Sequence, residues 1–142
     1  MDIYIGVDIG LRRTGLAISG PGGLYALPIG QFEIGCDAEW GPAFKKAVEP
    51  WLDCTIQAVI LGLPYNAEGK HTQLTRRMQT FSQWITHELG WSVVEWDERY
   101  STFAAESLFR ERGFKRVPKK GLDSQAAALI LENYLHSLTA RR

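Results

Sequence analysis

Cysteine is scarce in this chain: 142 residues hold two, Cys36 and Cys54. They are too few and too far apart for a disulfide framework or a thiolate metal site. Both are expected as reduced, partly buried thiols. Histidine is nearly as rare, and His71, His87 and His136 stand isolated, so none is given a role. A membrane helix needs about 20 consecutive apolar residues, and no such run occurs. The chain opens without the basic stretch, apolar segment and small-residue cleavage site of a secretion signal. The expectation is a cytoplasmic protein that makes no use of a membrane. Internal repeats and low-complexity linkers are missing too, which excludes solenoids and strings of modules.

The length suits one domain over residues 1–142, with a proper core. Apolar residues make up 45% and charged residues 23%, ordinary values for a globular protein. Net charge is zero, yet unevenly spread. Residues 1–71 hold five Lys and Arg against eight Asp and Glu, a balance of −3; residues 72–142 hold eleven against eight, a balance of +3. Within 99–120 lie Arg99, Arg110, Arg112, Lys115, Arg116, Lys119 and Lys120, opposed only by Glu106 and Glu111. Such a band is either a solvated face or a surface for phosphates.

Hydrophobic periodicity divides the chain. IYIGVD, TGLAIS and LYALPIGQFE read as three strands, with Gly10 and LRR making a tight connection and PGG at 21–23 a turn. Asp37 reads as a helix N-cap. Trp40, Phe44, Ala47, Val48 and Trp51 follow at helical spacing, with Pro42 tolerable in the first turn. QAVILGLP reads as a strand buried on both faces, and PYNAEGKH as a loop. Thr72 is the cap expected for a helix whose apolar face is Leu74, Met78, Phe81, Ile85 and Leu89, stopped by Gly90. WSVVEWDE is a fifth strand, and Thr102 to Arg112 a short helix ended by Gly113. After the loop FKRVPKKG, Asp123 opens a last helix with Ala127, Ile130, Leu131, Tyr134 and Leu138 inward. The order βββαβαβα predicts an α/β fold: a mixed five-stranded sheet with helices on both faces.

Carboxylates fall at the ends of three of these elements: Asp8, the pair Asp97–Glu98, and Asp123. Sites in α/β sheets collect at the carboxyl ends of strands. Acids brought together there repel, and protonation or cations relieve the repulsion. A pair of Mg²⁺ or Mn²⁺ ions about 3.5–4 Å apart uses such a cluster to cut phosphodiesters. Each acid also has a structural reading. Asp8 could accept hydrogen bonds in the turn at Gly10, Asp97 and Glu98 could be a solvated strand end, and Asp123 could cap its helix.

Four motifs occur in register: G-V-D-I-G-L-R-R-T-G at 6–15, V-I-L-G-L-P-Y-N-A-E-G at 59–69, D-E-R-Y-S-T at 97–102 and G-L-D-S-Q-A-A-A at 121–128. Together they span essentially the whole chain. The sequence resembles the YqgF family, also called RuvX, of Holliday-junction-resolvase-like proteins described as pre-16S ribosomal RNA nucleases. The resemblance implies an RNase H-like fold and an endonuclease with a two-metal site on Asp8, the acid of D-E-R and Asp123. Other resolvases of this superfamily carry an acid at the end of the fourth strand, where this chain has Gly62-Leu63-Pro64. The D-E-R acid must stand in for it. Adjacent strand residues point to opposite faces, so only one of Asp97 and Glu98 can share a face with Asp8. Glu98 is preferred for its longer reach, and Asp97 remains a candidate catalytic residue.

The bases near the acids are candidates for substrate binding. Arg12 and Arg13 suit bidentate phosphate contact, or a salt bridge that quiets Asp8. Asn66 and Tyr65 could meet a sugar or base, Arg99 the scissile phosphate, and Lys119 and Lys120 the nucleic-acid strand. The expected partner is nucleic acid, either precursor ribosomal RNA or branched DNA. A homodimer is expected if junctions are cut, since two strands then need two sites. Two other readings compete. D-I-G-x-x-x-T-G resembles the first phosphate loop of the actin and sugar-kinase group, but such a nucleotide binder needs a second domain and a second glycine-rich loop. The other is a catalytically idle RNase H-like binding module, favoured by the neutral charge and opposed by the retained acids.

Overall fold

The computed structural model describes residues 2–10, 12–20, 23, 25–63, 73–97 and 122–140. The three opening strands are β1 (Asp2–Ile9), β2 (Arg13–Ser19) and β3 (Ala26–Glu33). Helix α1 (Trp40–Ala47), strand β4 (Thr55–Leu63), helix α2 (Gln73–Trp84), strand β5 (Val93–Asp97) and helix α3 (Leu122–Ala140) follow. The helix expected over 102–112, the cap Thr72 and the loops at 64–71 and 114–121 lie outside the described residues.

The strands form one five-stranded sheet in the order β3-β2-β1-β4-β5. The β1–β2 and β2–β3 pairs are antiparallel, while β1–β4 and β4–β5 are parallel. Gly10 N–H donates to the Arg13 carbonyl (2.8 Å), closing the hairpin that Gly10 and LRR predict. The parallel half follows from the helical crossovers, and β4 in its middle is buried over Ala58–Gly62 on both faces, as QAVILGLP predicts.

Period-two alternation sorts the core into two layers. Ile5, Val7 and Ile9 of β1, Leu16 of β2 and Val59 and Leu61 of β4 pack with α1 and α2. The centre of that layer is Trp40, fully buried, stacked on Phe44 (centroids 4.8 Å apart) and Phe81 (4.3 Å). Its indole N–H donates to Thr14 Oγ1 at 3.0 Å, so the one polar atom of the stack is satisfied. On the other face Tyr4, Ala17, Ala58 and Ile60 meet Ala127, Ala128, Ile130, Leu131 and Leu135 of α3. Ile130 and Leu131 are fully buried, and each contributes about 1.5–3 kcal/mol.

Small residues let α3 lie close against the sheet. A Cβ at Gly6 would sit 2.7 Å from the Ala127 carbonyl oxygen and 2.8 Å from Leu131 Cβ. At Gly15 it would run into the backbone of Asp123 and lie 2.6 Å from Ser124 N. Both glycines belong to the first motif, so that motif is also a docking surface for the last helix.

Two local expectations need correction. Asp37 does not cap a helix through its side chain: it begins a one-turn 3-10 segment (Asp37–Glu39), and Glu39 stands at the N-cap of α1. The Asp37 carboxylate goes instead to Arg77 of α2, with Oδ1 2.9 Å from Nε. A charged partner outcompetes the backbone there. Trp51 is not on α1, which stops at Ala47; Glu49–Trp51 form a separate 3-10 turn. Pro50 carries no N–H and disfavours a helical residue before it, so the helix cannot run on. Cys54 is half-buried as expected, but Cys36 is exposed. Gly90 stops the helical run as expected, in the left-handed region (φ 71°), after α2 passes into a π-helical turn over Ile85–Leu89. No helix among the described residues is long and apolar enough to cross a membrane.

Candidate active site

The acids can be placed from the sheet outward. Tyr4 lies against α3 while Ile5, Val7 and Ile9 face α1 and α2, and alternation puts Asp8 on the α3 face. Asp8 pairs with Gly15 across the β1–β2 ladder. Lacking a side chain, Gly15 lets the first turn of α3 sit directly on β2, and that turn carries Asp123. Asp8 and Asp123 thus flank one glycine, by a ladder step of about 5 Å on one side and backbone contact on the other.

Asp123 does not behave as a simple cap. It lies inside the first turn, one residue beyond the helix start. Its Oδ2 is buried with no hydrogen bond among the described residues. Among the described residues the nearest cation is Arg13, with Nε 3.4 Å away and without hydrogen-bond geometry. Side-chain exposures of 36% for Arg13 and 25% for Asp123 leave the pair partly screened, so it contributes only about 0–1 kcal/mol. Arg13 therefore faces Asp123 while lining the same cleft. Arg12, at the hairpin tip, is exposed. A cleft of about 510 Å³ opens here between Gly10, Arg12, Arg13, Glu33 and Asp123.

The β4–β5 edge completes this end of the sheet. Gly62 pairs with Trp96 and Leu63 with Asp97. Trp96 packs edge-on against Tyr134 of α3, with centroids 5.5 Å apart. Position 96 is therefore on the face of Asp8. Glu98, Arg99, Asn66, Tyr65, Lys119 and Lys120 lie outside the described residues.

A hard divalent cation fits what is present. Two carboxylates on one face and a buried, unbonded Oδ2 are an oxygen-only donor set, the kind that Mg²⁺ or Mn²⁺ prefers. Among the described residues no three His, Cys, Asp or Glu side chains are gathered closely enough to hold an ion alone. Three contributors were not apparent from the sequence: Gly15 as the seat of α3, Thr14 as the anchor of Trp40, and Glu33 in the cleft wall. The glycine spacing within the first motif was the available signal for Gly15.

Comparison with known proteins agrees with this geometry. Residues 2–137 match the family described as "RuvX: Holliday junction resolvase". A protein of Maridesulfovibrio salexigens, described as "Putative pre-16S rRNA nuclease", is 33% identical over 132 residues, covering 92% of this chain and 96% of its own. One of Chlamydia felis with the same description is 36% identical over 138 residues, covering 95% and 91%. Among solved structures, Thermus thermophilus RuvC superposes with a TM-score of 0.60 at 16% identity, covering 97% of this chain and 96% of that one. At that identity the likeness speaks for the fold: an RNase H-like sheet shared with resolvases.

Proposed function

The chain belongs to the RuvX family of Holliday-junction-resolvase-like nucleases, and from that premise we propose that it is a single-domain endonuclease of ribosomal RNA maturation. It hydrolyses phosphodiester bonds in structured nucleic acid, and its substrate is the 5′ region of pre-16S ribosomal RNA. Four-way DNA junctions are a second substrate of the same chemistry. The reaction takes place in the cytoplasm, where precursor RNA is processed.

The observation that carries this reading is the meeting of Asp8 and Asp123 around Gly15, with the buried Oδ2 of Asp123 unbonded. We assign Asp8, Asp123 and Glu98 as the ligands of Mg²⁺ or Mn²⁺. Trp96 lies on the face of Asp8, and a strand that keeps a period of two past Trp96 supports Glu98 over Asp97 as the acid that shares it. Bound there, divalent ions supply an acidified water nucleophile and charge compensation at the leaving oxygen. The chain's own residues do the rest. Arg12 and Arg99 hold the scissile phosphate, while Lys119, Lys120 and the 110–116 bases hold the flanking strand. Asn66 reads a sugar or base, and Arg13 pairs with Asp123 in the wall of the cleft. Water attacks phosphorus, one ester P–O bond breaks, and the departing oxygen takes up a proton. Two copies acting as a homodimer would cut the paired strands of a junction.

A cleavage assay tests the reading. End-labelled pre-16S RNA and a synthetic four-way junction are incubated with protein in Mg²⁺, in Mn²⁺ and in EDTA. Metal-dependent cleavage of the RNA at a defined site is expected. Binding of both without cleavage in any metal would favour the idle binding module.

A further inference from the structure

A second cleft adjoins the first. It encloses about 570 Å³ and is lined by Arg12, Glu33, Ile34, Gly35, Cys36, Asp37 and Arg77. Arg12 and Glu33 line both clefts, so the two form one groove over the hairpin tip and the end of β3. The shared wall is anchored, since Ile34 N–H donates to the Arg12 carbonyl at 3.0 Å. At the far end Arg77 is mostly covered, and Asp37 Oδ1 lies 2.9 Å from its Nε as an ion pair without hydrogen-bond geometry. Its volume lies within the ~300–1,000 Å³ of ordinary ligand sites.

We propose that this second cleft is a flanking-nucleotide subsite, in which Arg77, ion-paired with Asp37, holds a backbone phosphate of the strand being cut. The proposal rests on the nuclease reading and adds a site to it. Arginine presents a planar fork matched to phosphate oxygens, and the Asp37 carboxylate keeps the guanidinium at this end of the cleft by charge. Arg12 stands between the clefts and bridges the scissile phosphate and the next nucleotide. Glu33, at the divide, repels a phosphate there and accepts a hydrogen bond from a sugar hydroxyl or base amino group. The strand is thereby held in one register across the acids, with phosphates on either side of Glu33.

The chain carries its own reporters for the test. Cys36 lies in the subsite wall and is exposed, whereas Cys54 is half-buried and precedes β4, at the opposite end of the sheet. An RNA oligonucleotide bearing a bromoacetamide on the backbone next to its cleavable link should alkylate Cys36 and spare Cys54. Equal or no labelling of Cys36 overturns the subsite. In parallel, anisotropy titrations of labelled precursor RNA and four-way junction over a salt series compare wild type with Arg77→Gln and Arg77→Lys. The glutamine variant should bind about tenfold more weakly, with a log K against log[salt] slope smaller by about 0.7–0.9, the share of one phosphate contact. The lysine variant should keep the slope and regain part of the affinity. A glutamine variant that melts earlier yet keeps the wild-type slope makes Arg77 structural and overturns the proposal. If that variant does not fold, the alkylation of wild-type protein decides. Wild type that neither binds nor cuts either nucleic acid fails the nuclease reading itself; wild type that does both while Arg77 proves silent fails the subsite alone.

Discussion

At the scale of single residues, an isosteric change at Asp123 separates a ligand from a cap. Asparagine caps helices about as well as aspartate, so Asp123→Asn leaves a capping role intact. The buried Oδ2 lacks a hydrogen bond, and the Arg13 contact is partly screened. The metal-free variant should therefore melt within a few degrees of wild type or slightly higher, as carboxylate repulsion is relieved. Cleavage should fall roughly a hundredfold or more, the scale of losing a group that stabilises developing charge. Calorimetry and single-turnover cleavage give the two numbers, and a destabilised but active variant would return Asp123 to a structural role. The acids of β5 offer a second comparison. Glu98→Gln should abolish cleavage and leave nucleic-acid binding intact, because the proposed phosphate contacts come from the bases. Asp97→Asn should cost about 10–100-fold, the effect of disturbing a neighbouring hydrogen bond. The reverse ranking in the same cleavage assay would place Asp97 on the face of Asp8.

At the scale of elements, the site depends on where α3 is seated. Gly6 and Gly15 both touch that helix, but at different points along it. A methyl group at Gly15 strikes the backbone of Asp123 and Ser124, the turn that carries the acid. At Gly6 it meets Ala127 and Leu131, further along the helix. Each overpacking should cost about 1–3 kcal/mol, more where only backbone can give way. Gly15→Ala should therefore lose both stability and cleavage, even at temperatures where it is fully folded. Gly6→Ala should lower the melting temperature and keep most of its cleavage per folded molecule. Equal loss of activity in both variants, measured well below their melting points, would show that Gly15 has no special part in setting the acids.

For the whole molecule, metal binding and stability are linked. An ion that binds the assembled acids but not the unfolded chain stabilises by about 2.7 kcal/mol at a hundred times its dissociation constant. Thermal scans should show a rising melting temperature as Mn²⁺ is added, and EDTA should reverse it. The shift should shrink in Asp8→Asn and in Asp123→Asn, because each removes a ligand. A shift that survives both changes would place the ion elsewhere. The same scans in Mg²⁺ should show a smaller effect, since Mg²⁺ gives up its water reluctantly.

The amino-acid sequence alone determined the strands, the described helices and the residues that face inward. Those follow from period-two and period-3.6 apolar patterns, which are local and survive without knowledge of neighbours. Ile5, Val7, Phe44, Met78 and Ile130 are buried where periodicity places them. Motif order likewise made the family legible. Caps and helix ends were read less well: Asp37 left its cap for Arg77, a residue of another helix, and no local pattern contains that partner. The site itself needed the tertiary structure. Asp8 and Asp123 are 115 positions apart (123 − 8), and no spacing rule connects them. Only the docking of α3 on the side-chain-free surface of Gly15 brings them together, because backbone contact is possible solely where a Cβ is missing. The groove from Asp123 to Arg77 is equally non-local. It exists because β3 pairs with β2 at one end of the sheet while α2 packs beneath, and that arrangement is set by strand order rather than by any stretch of sequence.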